Sequence, residues 1–165
     1  MIVILDKIYN EKLSVVLESK IFAGNEQSVQ RRNNLSEQDV ALAQRSALVV
    51  DDSPTVRKQL ELELESLKIK VDTAETGEQC LSKLEKDNYD IIFLDVILPG
   101  IDGYDVCKKI RKNLVTRNIP VVMLTSKSSS FDRVRGAMAG CSTYLTKQVD
   151  YEKFHMVLKE YLTQD

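Results

Sequence analysis

The sequence predicts an α/β domain of five parallel strands with crossover helices, preceded by an N-terminal extension. Two observations carry this. Short β-rich apolar runs alternate with amphipathic segments over residues 46–165, the pattern of buried parallel strands joined by helices. The runs also end on chemically active side chains. Ala47-Leu48-Val49-Val50 leads into Asp51-Asp52, Ile91-Ile92-Phe93-Leu94 into Asp95, Val121-Val122-Met123-Leu124 into Thr125, and Thr143-Tyr144-Leu145-Thr146 into Lys147. Open α/β sheets bind ligands beyond the carboxyl ends of their strands. These side chains are therefore expected to meet in one small pocket.

Residues 1–45 are expected to form the extension and a linker. Leu5, Tyr9, Leu13, Val16, Leu17 and Lys20-Ile21 fit a helical stripe, with Met1–Leu5 as an alternative strand. Residues 24–34 are polar, with almost nothing to bury, and read as linker. Ser36-Glu37-Gln38-Asp39 resembles a capping box that could start a short helix through Gln44. The boundary is placed between Asn33-Asn34 and Ser46.

The first strand is expected at 47–51. Ser53 can cap the following helix with Pro54 at its first position, where the missing N–H costs nothing. Val56, Leu60, Leu64 and Leu67 then form one apolar stripe. The second strand is expected at 69–73, and Thr76 with Gln79 can box the start of the second helix. The third strand is expected at 90–95, with a helix after Asp102-Gly103. The fourth is expected at 120–125, with a helix over 130–138. The fifth is expected at 142–146; Asp150 caps the last helix, and Phe154, Val157, Leu158, Tyr161 and Leu162 face the core. Pro99-Gly100 and Asp102-Gly103 read as turn chemistry, since glycine frees the backbone for positive φ.

The chain has 165 residues and a net charge of −2, so it lacks a strong electrostatic footprint for nucleic acid. Lys108-Lys109 and Arg111-Lys112 read as a solvated helix face, because no aromatic residues are interleaved as stacking platforms. Cys80, Cys107 and Cys141 show no metal-ligand spacing and read as small buried hydrophobes. Their odd count suits reduced thiols in a cytoplasm, where the chain is expected to reside. Met1-Ile2-Val3-Ile4-Leu5 is too short for a signal peptide or a membrane span. His155, the sole histidine, reads as a surface or half-buried helical residue.

Three carboxylates brought together repel one another, and a hard divalent cation removes the repulsion. Mg²⁺ suits such a site, because it takes one or two carboxylates and keeps positions open for phosphate oxygens. Asp51 and Asp52 form a natural metal pair, which leaves Asp95 as the better nucleophile for an aspartyl phosphate. A hydroxyl and an ammonium, Thr125 and Lys147, could hold the remaining phosphoryl oxygens. The bland reading, acids that merely cap helices, suits one acid but not the whole ordered set.

Residues 46–163 resemble a response-regulator receiver domain, the phosphoacceptor half of two-component signalling. The resemblance rests on four motifs in order: Leu48-Val49-Val50-Asp51-Asp52-Ser53; Phe93-Leu94-Asp95 through Gly103; Val122-Met123-Leu124-Thr125-Ser126-Lys127; and Tyr144-Leu145-Thr146-Lys147. It is similar in flavour to stand-alone chemotaxis or twitching-motility receivers. It implies a flavodoxin-like, doubly wound sheet of strand order 2-1-3-4-5. It also implies residue roles. Asp95 would accept phosphate from a histidine kinase or a histidine phosphotransfer protein. Asp52 would bind Mg²⁺ directly, Asp51 through water, and the Ile97 backbone carbonyl would add a ligand beside Asp95. Thr125 and Lys147 would contact the phosphoryl group, and Thr125 with Tyr144 would form the switch. One departure is Gln148, where the family usually places proline; a trans Lys147–Gln148 bond is expected, since cis before a non-proline costs ~2.5–4 kcal/mol.

Two other readings compete with this one. A haloacid-dehalogenase-type phosphatase would need an acid two residues after its nucleophile, where this chain has Ile97. A pseudo-receiver that no longer takes phosphate has Gln148 as its foothold. The residues after Lys147 suffice for one helix, so no C-terminal effector is expected. Output is expected through a protein partner, a further phosphotransfer, or the N-terminal segment. That segment's stripe would be buried by docking or by self-association into a homodimer.

Overall fold

A computed structural model of the chain describes residues 42, 44–126, 130–148 and 150–163. The helical stripe, the alternative strand, the polar linker and most of the capping-box helix lie outside the described residues, as does Lys127. The described residues fall within one unit, Gln38–Asp165.

Five strands alternate with five helices: β1 Ser46–Val50, α1 Pro54–Ser66, β2 Lys70–Ala74, α2 Gly77–Leu84, β3 Ile91–Asp95, α3 Gly103–Lys112, β4 Val121–Thr125, α4 Ser130–Ala139, β5 Thr143–Thr146 and α5 Tyr151–Leu162. The strands form one parallel sheet of order β2-β1-β3-β4-β5, the flavodoxin-like order expected from the sequence.

The three central strands are buried on both faces. Leu48, Val50, Ile92, Leu94, Val121 and Met123 pack into a core with side chains of α2 and α3 and Ala139 of α4. The alternate residues Ala47, Val49, Ile91, Phe93, Val122 and Leu124 pack with α1 and α5. Period-two alternation between two apolar layers explains why these strands read as continuous apolar runs. Phe93 and Phe154 join sheet to α5 with ring centroids 5.4 Å apart. The stripe Val56, Leu60, Leu64 and Leu67 faces this second layer, as do Phe154, Val157, Leu158, Tyr161 and Leu162. The edge strands β2 and β5 are less buried.

The caps are those the sequence suggested, with one addition. Ser53 Oγ accepts from Val56 N–H at 3.5 Å, and Thr76 Oγ1 accepts from Gln79 N–H at 3.2 Å. The Gln79 amide accepts from Glu75 N–H at 2.9 Å, one residue before the cap. Asp150 caps α5, and Asp102 caps α3 by accepting from Asp105 N–H at 2.9 Å.

Strand limits differ from expectation by one residue, for local reasons. The β1–β2 ladder ends at Val50 opposite Ala74, so Asp51 lies just past the strand rather than in it. β2 starts at Lys70 because the Ile69 N–H closes α1 by donating to the Leu64 carbonyl at 3.1 Å. β3 starts at Ile91 because the Asp90 carboxylate instead holds the Ser46 N–H at 2.7 Å. β4 starts at Val121 because Pro120 has no N–H to give. β5 starts at Thr143, while Ser142 Oγ accepts the Val121 N–H at 3.1 Å.

Two expectations need correction. Lys108, Lys109 and Lys112 are exposed, but Arg111 turns inward. Its guanidinium donates to the carbonyls of Gly140 at 2.6 Å, Ile119 at 2.8 Å and Arg117 at 3.0 Å. It therefore ties the α3–β4 loop to the end of α4. Cys141 is half-buried, unlike Cys80 and Cys107, because it sits in the α4–β5 turn rather than inside a layer. His155 is exposed on α5 with Nε2 3.3 Å from Glu63 Oε1, as expected. Among the described residues no helix is long and apolar enough to cross a membrane.

Thiol reactivity tests this packing. Burial pushes Cys80 up to about 12 and Cys107 up to about 11. Burial raises the Cys141 thiol as well, but Cys141 alone is partly exposed, so at about pH 8 a thiol-specific disulfide reagent should titrate it alone in the native chain. Denaturant should release all three. Prompt reaction of two or more native thiols would contradict the buried placement.

Candidate functional site

The sheet brings the expected residues to one edge. Asp95 ends β3 opposite Leu124, and Thr125 ends β4 opposite Thr146. The N–H groups just past the strands extend the ladder: Asp51 to the Ala74 carbonyl at 3.1 Å, Val96 to Leu124 at 3.0 Å, and Lys147 to Thr125 at 2.9 Å. Asp52, Asp95, Val96, Ile97, Thr125, Ser126 and Lys147 line an open cleft of about 430 Å³ there.

Carboxylate oxygens of Asp51, Asp52 and Asp95 all lie within 4.8 Å of one another. Asp51 and Asp95 are buried, whereas Asp52 is exposed at the cleft mouth. Lys147 bridges the buried pair, its Nζ 2.7 Å from Asp95 Oδ2 and 2.9 Å from Asp51 Oδ2. The approach to Asp51 is close but poorly directed. Among the described residues, Asp51 Oδ2 is the buried side-chain oxygen that receives no hydrogen bond. Its other oxygen accepts from Ser53 N–H at 2.9 Å, and Asp95 Oδ1 accepts from Ile97 N–H at 3.1 Å.

Burial pushes the Asp95 carboxyl above its ordinary range, against the pull of Lys147 and of the Ile97 N–H, and the Asp51 charge adds to the rise. Burial works against the Lys147 ammonium, but the hydrogen bond to Asp95 and the attraction of both carboxylates outweigh it and raise the group overall. Each partner thus depends on the other to stay charged.

The loop after Asp95 depends on two glycines for different reasons. Gly100 has φ of +80°, in the left-handed region, as turn chemistry expects. Gly103 does not; a Cβ there would overlap the Asp95 carbonyl oxygen, so glycine lets α3 start against the end of β3. Ile97 lies between them and the strand, 74% exposed. An apolar side chain there brings no acid or base to Asp95.

Tyr144, on β5 opposite Met123, is half-buried and packs against the α2–α3 layer. Burial raises its phenol strongly, with the Cys141 thiol and Tyr104 hydroxyl as neighbours. Gln148 follows Lys147 through a trans bond, there being no cis peptide among the described residues.

Sequence reasoning missed Arg57. Its guanidinium donates to the Asp51 carbonyl at 2.7 Å and to Glu75 Oε1 at 2.7 Å, which pins the loop bearing the acid pair. An arginine one turn into the helix after that pair was the available signal. Tyr104 was missed as a contact of Tyr144, and the sequence carried no local signal for it.

Comparison with known proteins agrees with the geometry. The family model for the response regulator receiver domain matches residues 47–159. The chain is 36% identical over 115 residues to Protein PilG of Pseudomonas aeruginosa, covering 70% of this chain and 85% of PilG. It is 41% identical over 100 residues to the transcriptional regulatory protein ResD of Bacillus subtilis, covering 61% of this chain and 40% of ResD. The chain thus spans less than half the length of ResD. A solved receiver domain of the sensor histidine kinase PA1611 from P. aeruginosa, with a magnesium ion coordinated in its active-site cleft, superposes with a TM-score of 0.68. It is 29% identical and covers 73% of this chain and 98% of its own. With acids, hydroxyl and lysine gathered beyond the strand ends of a 2-1-3-4-5 sheet and the family model spanning that sheet, the chain belongs to the response regulator receiver domain family.

Proposed function

We propose that this chain is a phosphorylation-dependent signalling switch. It takes a phosphoryl group on Asp95, with Mg²⁺, from a histidine kinase or a histidine phosphotransfer protein, and signals through protein contacts. Receiver domains are phosphoacceptor switches rather than turnover enzymes. The observation that carries the reading is Asp95 on the wall of an open cleft, its carboxylate 2.7 Å from Lys147 and beside two further acids.

The residues present fit a divalent cation. The buried Asp51 Oδ2 lacks a hydrogen bond, and three carboxylates face one another. Asp52 at the cleft mouth would ligate it directly, Asp51 through water, with Asp95 and the Ile97 carbonyl beside them. When bound, Mg²⁺ supplies charge neutralisation for the carboxylates and for the phosphoryl oxygens.

The chain's own groups do the rest. An ionised Asp95 oxygen forms the P–O bond as the P–N bond of the phosphohistidine breaks, and the imidazole keeps its electron pair. Lys147 holds Asp95 ionised before transfer and pairs with a phosphoryl oxygen afterwards. The Thr125 hydroxyl, at the edge of the same cleft, donates to another. Such transfer needs positioning and charge neutralisation more than covalent help. The added charge then biases a two-state element, for which Thr125 and Tyr144 are the proposed parts. The face of α4, β5 and α5 is the proposed output surface.

The N-terminal extension is proposed to be separable from the switch. Leu42 packs on the α1–α5 layer, and Arg45 Nη1 lies 3.3 Å from Asp90 Oδ1. A cut that spares the domain therefore falls before Leu42 rather than after Arg45.

A small-molecule phosphodonor with Mg²⁺ should add one phosphate by intact mass, and Asp95→Ala should abolish it. Equal labelling of the variant would move the acceptor elsewhere, and no labelling of wild type would favour a binding module that takes no phosphate. In Mg²⁺ titrations Asp52→Ala should lose more affinity than Asp51→Ala, because a direct ligand loses more than a water-mediated one. Equal titration of Asp52→Ala and wild type would sink that assignment. Lys147→Ala leaves two buried carboxylates without their cation, so in chelator it should lose about 3 kcal/mol of unfolding free energy. Mg²⁺ should restore part of the loss. A wild-type denaturation midpoint in chelator would show that Lys147 does not hold the pair.

A further inference from the structure

Gly136 is the seventh residue of α4 and is buried. Short of proline, glycine is the poorest residue for a helix interior. The φ of Gly136 is not among the positive ones, so backbone freedom does not explain it. Its surroundings do. A Cβ at Gly136 would overlap the hydroxyl and ring tip of Tyr144, and would fall 2.9 Å from Cys141 Sγ. The missing side chain is the space that the end of the Tyr144 ring occupies.

That space has a built floor and wall. The Tyr144 hydroxyl meets the Cys141 thiol and the Tyr104 hydroxyl, so its polar end is matched where its ring is buried. Tyr104 is 1% exposed and cannot turn away. The Arg135 guanidinium, from the position before Gly136, stacks 4.3 Å from the Tyr104 ring centroid. The same guanidinium reaches Asp102, the cap of α3, at 3.5 Å. The cradle therefore joins α3, α4 and the α4–β5 turn around one side chain of β5.

We propose that Gly136 is the positioning residue for Tyr144: by lacking a side chain it lets the ring lie inward against α4, with Tyr104 and Cys141 receiving the hydroxyl. Strand β5 alone would leave the ring free to choose between solvent and interior. With the gap in α4, the inward position is the resting one, and any movement of α4 at Gly136 changes the fit directly. This rests on the switch reading above and assigns part of it to a residue outside the cleft.

The test uses the full chain labelled with 3-fluorotyrosine, which gives six fluorine resonances for six tyrosines. Tyr144→Phe assigns the one of interest. Accessibility to a soluble paramagnetic agent is then compared with two internal standards, buried Tyr104 at 1% and Tyr151 at 59% exposure. In wild type Tyr144, which is half-buried, should fall between the two standards. In Gly136→Ala it should move toward the Tyr151 range, because the added Cβ overlaps the hydroxyl and ring tip of Tyr144. Protection of Tyr144 unchanged in Gly136→Ala would overturn the proposal.

A double-mutant cycle keeps the test open if Gly136→Ala folds poorly. The shift in denaturant midpoint caused by Gly136→Ala should vanish or reverse in a Tyr144→Ala background, where the ring no longer meets the added methyl. The same shift in both backgrounds would mean that α4 needs this glycine for another reason. Intact mass after phosphodonor treatment separates the two levels. A chain that takes no phosphate yet shows the Tyr144 displacement would sink the switch reading and keep the positioning role.

Discussion

Lys147 stands between two buried carboxylates that the fold would otherwise hold apart from any cation. Its Nζ contacts Asp95 Oδ2 at 2.7 Å and Asp51 Oδ2 at 2.9 Å. The contact with Asp95 spans 52 residues of sequence. Buried like charges raise one another's pKa and strain the fold unless a cation intervenes. The intramolecular ion contacts link the ends of β1, β3 and β5, which the strand order places on both sides of the centre. They also leave the site incomplete: Asp51 Oδ2 is close to charge but lacks a directed hydrogen bond. A site that is stable but under-satisfied is suited to take a further cation and then an anion, because each arrival relieves the imbalance left by the last.

The rest of the architecture holds these ends still. The central strands bury both faces, so Asp51 and Asp95 project from the most constrained part of the chain. Arg57 pins the carbonyl of Asp51, and Gly103 lets α3 start against the carbonyl of Asp95. Both fix backbone rather than side chains. Of the buried carboxylate oxygens above them, Asp51 Oδ1 and both oxygens of Asp95 accept hydrogen bonds, and Asp51 Oδ2 is left for a ligand.

The parts visible in the sequence were those governed by local periodicity. The two-layer packing makes β1, β3 and β4 apolar throughout, and the helical stripes of α1 and α5 repeat at helical spacing, so both were readable as patterns. The site acids were readable for the same reason, since each follows such a run. Positions set by long-range contact were not. Arg111 looks like part of a basic face, yet its partners are carbonyls of Ile119 and Gly140, which only the folded chain brings to it. Strand starts were missed by one residue where a side chain or a proline displaced a ladder bond, as at Asp90 and Pro120. Gly136 carried no signal at all, because what it accommodates arrives from another strand.

The direction in which a signal can leave follows from the same contrast between centre and edge. β1 has neighbours on both sides, whereas β5 has four residues and pairs only with β4. Edge elements with fewer buried contacts open at lower free energy than central ones. Lys147 immediately follows β5 and Tyr144 lies within it, so on the proposed reading a charge change at Asp95 acts on an edge strand of the sheet. Moving Asp51 would instead disturb a loop pinned by Arg57 and a strand locked between two layers. The response is therefore expected to run through β5 toward α4, where the gap at Gly136 makes the fit of one ring depend on the position of one helix.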